Sequence, residues 1–369
     1  LRGPQGTLYG QGSLGGTVRV IPNKPSLTEL QGKVAARYSQ TGEEGGDNTM
    51  VQGVISIPII EDQLAIRAVA YQFDNDGYID NIAASYQSES PAIADRVAQG
   101  GLAIDRKAGG DKNTGFRVSA LWRPIEELSV TLSYINQDLE QDGLKTVELF
   151  RLPSDFQQIG LAVDQSGRGE FVTSETDITN LVLEYDLGWG TLFSSTTNID
   201  FTSNSGHDNS LLGGAFFSHP NSTLAFRDMG VFVEELRFVS ALDGPLQFLL
   251  GYYYEDRENY KSADFAPRVA VEVPDATIFL FEGREEVEQR SLFGELSYEL
   301  TEQFTATLGF RSFEYDQSQP LSLLNGNVRA SQGQKGTIDD VNYKLNLSYT
   351  PSDDTLIYAQ WSEGFRRGN

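Results

Sequence analysis

The residues whose spacing carries the most chemistry sit at the start of the chain. Gly10-Gln11-Gly12-Ser13-Leu14-Gly15 fits G-x-G-x-x-G, the pattern whose glycine backbone cradles a pyrophosphate at a helix N-terminus. That chemistry needs a strand before the glycines and a helix after them. Nothing strand-like precedes this run. The run leads into Thr17-Val18-Arg19-Val20-Ile21, a β-branched strand that stops at Pro22, so the nucleotide reading fails. No Gly-Lys-Ser/Thr comes after the glycines, which removes a Walker loop. The two histidines, His207 and His219, fall in one long loop at a spacing that matches no standard metal motif. Serine is abundant, but G-x-S-x-G in an elbow context is absent. The carboxylate pairs Asp74/Asp76, Glu285/Glu286 and Asp353/Asp354 fall in expected loops or turns, where solvation accounts for them. The reading is of a non-enzyme with no cofactor and no resident metal.

Composition narrows the class. The 369 residues allow two or three soluble domains or one large barrel, and the absence of cysteine removes disulfide and thiol chemistry. Apolar content is 39%, and no window approaches the roughly 18 apolar residues of a membrane-spanning helix. A membrane role would therefore use strands, which cross with about 9–11 residues, every second one apolar. The net charge of −24 argues against a nucleic-acid partner, which needs a basic footprint. The acidity fits a solvated surface, or acidic loops that attract cations, basic ligands or divalent-bridged lipopolysaccharide. Sixteen Tyr and 21 Phe are too many for a disordered chain.

The elements that must position any site are strands. Period-two alternation recurs from residue 30 onward. Val34, Ala36 and Tyr38 share one face; so do Ile55, Ile57 and Ile59; Phe116, Val118, Ala120 and Trp122; Leu128, Val130, Leu132 and Tyr134; Leu181, Leu183 and Tyr185; Phe304, Ala306, Leu308 and Phe310; and Val341, Tyr343, Leu345, Leu347 and Tyr349. The best helical stretch lies near 89–99 and is short. Short turns are expected near 60–63, 123–127, 187–190, 240–245, 299–303 and 350–354. Long polar segments are expected near 74–112, 140–175, 203–228, 257–286 and 316–338. Short turns on one rim and long loops on the other mark an outer-membrane barrel; a soluble sandwich does not sort its loops this way. Tyr71 and Phe73, Trp122, Tyr134, Tyr185 and Trp189, Tyr252 to Tyr254, Phe313 and Tyr315, and Tyr358 and Trp361 fall near strand ends, where headgroup-level girdles lie. About 13 strands are expected, an odd number for a family of walls that close evenly.

The leader supplies the family. Glycine occupies positions 3, 6, 10, 12, 15 and 16, with Pro4, Pro22 and Pro25 as punctuation. Arg2-Gly3-Pro4-Gln5-Gly6, Leu8-Tyr9-Gly10, Gly15-Gly16 and Asn23-Lys24-Pro25 resemble the end of the plug domain of TonB-dependent outer-membrane receptors. The closing Tyr358-Ala359-Gln360-Trp361-Ser362-Glu363-Gly364-Phe365-Arg366 resembles a mid-barrel strand of the same family. The resemblance implies an all-β fold: residues 1–28 as the C-terminal part of a plug and 29–369 as the N-terminal part of an antiparallel transmembrane barrel, about 13 of about 22 strands. It implies a longer protein, because the family's plug has an N-terminal part with a TonB box, and Leu1 is neither an initiator Met nor the start of a signal peptide. It also implies energised uptake of a scarce nutrient, most often a ferric siderophore or other iron complex. The implied partners are outer-membrane lipid and lipopolysaccharide, the TonB energy-coupling protein and a small-molecule or iron-complex ligand, with the receptor a monomer in the outer membrane of a Gram-negative bacterium.

The same resemblance implies a latch of plug arginines against wall glutamates, and Arg2 matches the motif's arginine. Alternation supplies wall partners. With Phe232, Leu236 and Phe238 toward lipid, Glu235 and Arg237 face inward; with Leu292, Leu296, Tyr298 and Leu300 toward lipid, Glu295 faces inward. Arg311 is assigned inward on the same ground, because a mid-depth charge on the lipid face costs about 2–4 kcal/mol for Arg or Lys. Arg2 then pairs with Glu235 or Glu295, or these carboxylates meet lumen water or Arg237. Glu234 fits the pattern poorly. Arg151, Phe216, Phe217, Phe226 and Arg227, in long loops, are ligand candidates. A plain barrel without energy coupling, a porin or adhesion platform, explains the alternation and loops but not residues 1–25.

Overall fold

The computed structural model describes residues 3–13, 15–42, 45–82, 107–143, 157–158, 160, 163, 168–209, 221–267, 279–325 and 328–365. A single helical turn, α1 (Gly6–Tyr9), precedes strands β1 (Gln31–Gln40), β2 (Asp47–Ile60), β3 (Leu64–Asn75), β4 (Asp80–Asn81), β5 (Gly110–Ile125), β6 (Leu128–Asp142), β7 (Gln157–Gln158) and β8 (Phe171–Asp186). Next come β9 (Gly190–Asp208), β10 (Asn221–Ser240), β11 (Leu246–Pro267), β12 (Phe279–Thr301), β13 (Phe304–Asn325), β14 (Val328–Ser352) and β15 (Thr355–Ser362). Thirteen of these form one antiparallel meander in chain order, and β4 pairs with β7 as a small parallel annex.

The sheet is inside-out by the standards of a soluble fold. Leu292, Leu296, Tyr298 and Leu300 of β12 lie exposed on its outer face, as do Leu236 and Phe232 of β10, Leu308 of β13, and Tyr343, Leu345 and Leu347 of β14. The inner face buries Ser56, Ser119, Asn259, Gln289, Ser291, Arg311, Asn342 and Lys344. On β12 the outer apolar row runs from Leu300 to Leu292 and gives way to Arg290, Glu288 and Glu286 on the same face. That leaves a band of about nine residues, the length a tilted strand needs to cross the hydrocarbon core. Outer-face aromatics rim it, including a stacked Phe304–Tyr349 pair at 4.3 Å. Alternation turns some expected girdle members inward instead. Tyr71 donates to Gln137 Oε1 at 3.2 Å, and Phe313 and Tyr315 are buried on the inner face. For these, side-chain parity and not nearness to a strand end decides the direction.

Connections sort as expected on the short-turn rim, at 61–63, 126–127, 187–189, 241–245, 302–303 and 353–354. On the other rim, the widest spacings between successive strands of the sheet are 76–109 and 143–170. The polar stretches expected as loops near 203–228, 257–286 and 316–338 are mostly strand: β10 to β14 run 20 to 25 residues, far beyond the apolar band. Above the band both faces meet water, so side-chain alternation lapses while ladder hydrogen bonds still satisfy the backbone. The helix expected near 89–99 lies outside the described residues.

The leader lies against the inner face at both ends of the meander, residues 3–12 on β12–β15 and 23–27 on β2–β8. The sheet therefore curls around it. An arginine at the outer-face Leu308 should destabilise the wall by about 2–4 kcal/mol. An arginine at the neighbouring inner-face Thr307 should cost about 1 kcal/mol, chiefly the lost Ser297 Oγ–Thr307 Oγ1 hydrogen bond. Denaturant unfolding of the protein in lipid vesicles distinguishes the two.

Candidate functional site

The site is the seat in which the wall holds the leader. The leader folds on itself first. Gln5 N–H donates to Ser13 O at 2.9 Å, and α1 closes with Tyr9 N–H on Gln5 O at 2.9 Å and Gly10 N–H on Gly6 O at 3.1 Å. Gly10 has φ +75°, the left-handed region that favours glycine, and a Cβ there would stand 3.5 Å from the Arg311 guanidinium. Gly6 is needed for close approach: its Cβ would lie 3.0 Å from Glu363 O and 3.2 Å from Gly364 Cα.

Three wall features meet this knot. Glu295 of β12, Gly309 of β13 and Lys344 of β14 share one row of the register. With no side chain at Gly309, Lys344 Nζ reaches across to Glu295 Oε1 at 2.7 Å, both side chains largely buried (9% and 16% exposed). Thr7 Oγ1, fully buried, donates to the same oxygen at 3.5 Å. One row on, Arg311 is 2% exposed, its guanidinium 5.3 Å from the Phe293 ring centroid and 5.4 Å from that of Tyr253. These distances suit cation–π contact with little water present. Phe293 covers Gly251, where any Cβ would collide with its ring at 2.3 Å. The third feature is the segment after β15. Glu363 is tied to β14 by its N–H on Tyr343 O and by Tyr343 N–H on its Oε2, both 2.9 Å. Phe365 stacks on Phe313 at 3.9 Å within a cluster with Val287 and Tyr315, and its carbonyl accepts Gly12 N–H at 3.3 Å. Gln360 Nε2 donates to Pro4 O at 2.5 Å.

A second set anchors the leader's exit at the short-turn rim. Lys24 Nζ meets both Glu184 carboxylate oxygens at 2.9 and 3.0 Å. Asn23 O accepts from Arg117, and Ser26 N–H donates to the buried Ser56 Oγ at 2.9 Å. Leu27 packs with Ala65 and Leu121 in a small apolar cluster.

The motif residues Gly3, Pro4, Gly6, Tyr9, Gly10, Gly15 and Gly16 lie in the leader; Arg2, with Arg151, Phe216, Phe217 and His219, lies outside the described residues. Glu235 and Arg237 share the inner face and pair with each other at 3.3 Å. Glu295 is brought to the leader, and Glu235 pairs along its own strand. Glu234 is on the outer face, where Ser194 Oγ donates at 3.1 Å and Thr196 Oγ1 also donates, so neighbouring hydroxyls solvate it in place of water. Phe226 and Arg227 fall on opposite faces of β10: Phe226 packs on Tyr260, and Arg227 Nε donates to Asn259 Oδ1 at 2.9 Å. Asn259 in turn donates to the buried Glu285 at 3.1 Å, so Glu285 is a wall residue and not the loop carboxylate expected. Burial pushes the His207 imidazole below its ordinary range, and it contacts Ser205 Oγ at 3.0 Å. No cluster of three metal-ligating side chains occurs among the described residues. Sequence reasoning missed Thr7, Lys344 and Glu184, and had Lys24 only as part of the leader motif, without its partner. Lys344 carried a signal, a cation on the polar parity opposite the apolar row Val341, Tyr343, Leu345 and Leu347.

The family model described as TonB dependent receptor-like, beta-barrel matches residues 136–369. The chain belongs to this family of TonB-dependent receptors. Solved structures agree on the fold. The ferric yersiniabactin uptake receptor FyuA from Yersinia pestis superposes with TM-score 0.79 at 17% identity, over 99% of this chain and 51% of that one. The siderophore receptor PiuA from Acinetobacter baumannii gives 0.71 at 16%, over 98% and 53%. The ferripyoverdine receptor of Pseudomonas aeruginosa gives 0.65 at 14%, over 100% and 46%. The chain spans about half the length of these structures. As a TonB-dependent receptor it belongs in the outer membrane of a Gram-negative cell, where its outer apolar band meets lipid.

The Glu295–Lys344 bridge gives a sharp test. Lys344→Ala leaves a carboxylate unpaired in a mostly dry site and should destabilise the folded receptor by about 3 kcal/mol. Adding Glu295→Ala should recover most of that loss in a double-mutant cycle by urea unfolding. Gly6→Val should unseat the leader without unfolding the wall, read as faster proteolysis within residues 1–28 while the barrel band stays intact.

Proposed function

We propose that this receptor carries out energised uptake across the outer membrane, with residues 1–28 as the C-terminal part of its plug and 29–369 as part of its wall. The observation that carries the proposal is the seated leader. A passive pore has no use for a segment bonded to both ends of its inner wall, through Thr7, Gly6 and Gly12 on one side and Lys24, Ser26 and Leu27 on the other. The seat can be opened stepwise. Its contacts to the knot are three hydrogen bonds (Thr7 to Glu295, Gln360 to Pro4 and Gly12 to Phe365), backbone packing and a glycine against a guanidinium, each modest beside the buried Glu295–Lys344 bridge, which stays within the wall. A pull on the leader would release it and leave the wall whole.

The cargo we infer is a ferric siderophore or another iron complex, in keeping with the siderophore receptors whose fold it shares. Energy would come from the TonB protein acting through plug sequence beyond this chain. Arg2, in the same leader, is assigned to Glu235 or Glu295 as a further latch. Around the wall the receptor would meet lipid and lipopolysaccharide as a monomer. Uptake of a panel of labelled ferric siderophores by receptor-deficient cells, with and without the restored receptor and with and without TonB, tests the reading. Accumulation of at least one complex should require both proteins. Accumulation that persists without TonB would instead support a passive barrel.

A further inference from the structure

The chain is strongly acidic, 52 acidic against 28 basic residues, yet one quadrant of its inner face runs the other way. Alternation puts Lys33 and Arg37 of β1, Arg67 of β3 and Arg117 of β5 on the inner side. The inner faces of β1, β2, β3 and β5 carry one carboxylate among the described residues. It is Asp111, at the end of β5 remote from the short-turn rim, where it accepts from Asn75 at 3.0 Å.

Arg67 and Arg117 form the centre of this quadrant. They stand on adjacent strands, Arg67 opposite Ser119 and Arg117 opposite Val69, near enough for their charges to repel. Both are half-buried, and the Nε of each is shut off from water without a hydrogen-bond partner. Among the described residues, the one polar contact the two guanidiniums make is Arg117 Nη2 to Asn23 O at 3.3 Å. On the far wall Arg237 has Glu235 and Arg257 has Glu255, each at 3.3 Å, and Arg311 lies over the Phe293 and Tyr253 rings, although the Nε of each of the three also lacks a hydrogen-bond partner. What sets Arg67 and Arg117 apart is two adjacent guanidiniums with neither a carboxylate nor a ring against them among the described residues. Two neighbouring cations in a partly dry place, with no counter-charge, lose stability unless an anion joins them. A guanidinium fork matches a carboxylate with two parallel hydrogen bonds.

The source of that carboxylate is fixed by the neighbours. Residues 23–27 border the patch, on Arg117, Glu184, Ser56 and the Ala65–Leu121 cluster, so the patch continues an interface the leader already makes. The leader cannot neutralise it, because Gly3 to Pro25 contains Arg19 and Lys24 and no carboxylate. We propose that Arg67 and Arg117 are the docking site of an acidic polypeptide segment that shares the lumen with the leader, a stretch of plug whose Asp or Glu side chains pair with the two guanidiniums. The proposal rests on the reading of the leader as plug.

Carbodiimide cross-linking of the whole receptor in isolated outer membranes tests it. Arg67→Lys and Arg117→Lys keep the charge and supply primary amines. The reagent joins an amine to a contacting carboxylate as an amide, and the water lost converts the carbodiimide to its urea. Lys24–Glu184, at 2.9 Å, is a reference link in the same sample. Peptide mapping should show the reference link together with a new link from position 67 or 117 to an acidic residue of the plug. If the reference link forms while positions 67 and 117 link to nothing, or to barrel carboxylates alone, the proposal is wrong. If the reference link itself is missing, the seated-leader reading falls, and the proposal with it.

Discussion

Everything in this structure depends on one requirement: a chain in hydrocarbon must satisfy its backbone hydrogen bonds internally. A sheet whose strands pair in chain order meets that requirement along the wall, and it dictates the side chains. Positions facing lipid must be apolar, which accounts for the Leu292, Leu296, Tyr298 and Leu300 row. Positions facing inward are then released to be polar, and here they include buried charges such as Arg311 and Lys344. Those charges find partners within the wall, Lys344 on Glu295 and Arg311 on the Phe293 and Tyr253 rings, and the glycine-rich leader packs its backbone close beside them with few side chains in the way.

Glycine is the device that makes the seat fit. Gly309 leaves the gap through which Lys344 and Glu295 meet across an intervening strand. Gly251 leaves the space that Phe293 fills beside Arg311, and Gly6 lets α1 lie on the Glu363–Gly364 backbone. Each gap trades local chain entropy for one contact that a side chain would block. The Trp361–Phe365 stretch has two roles on either side of β15's end. Trp361 faces outward with the lipid row, while Phe365 turns in to stack on Phe313 and receive Gly12.

Much of the wall was legible in the sequence, because a period of two with one face in lipid leaves strict alternation. The strand that carries Val341 to Tyr349 could be read residue by residue. The extensions of β10 to β14 could not, because above the membrane band nothing forces a pattern: Arg284 to Arg290 of β12 looks like loop and pairs as strand. Glu285 was read as a solvating charge for the same reason. The seat was only half legible. The leader's glycines and the inward parity of Glu295 were visible. Their partners were not, since Thr7–Glu295 and Lys344–Glu295 join residues 288 and 49 positions apart and depend on register. Tyr71, Phe313 and Tyr315 show the converse error, aromatic residues near strand ends whose parity sends them inward.

The central claim is that lipid lies on one side of this sheet and a polar, occupied lumen on the other. Because the chain has no cysteine, a spin label can be placed at each residue from 291 to 300 of the membrane-embedded receptor in turn. Its collision rate with dissolved oxygen and with a water-soluble nickel complex can then be measured. The account predicts a period of two, with oxygen collisions high at 292, 296, 298 and 300 and low at 291, 293 and 295, and nickel low at the first set. High nickel accessibility at 292 and 296, or no alternation across the strand, would contradict it.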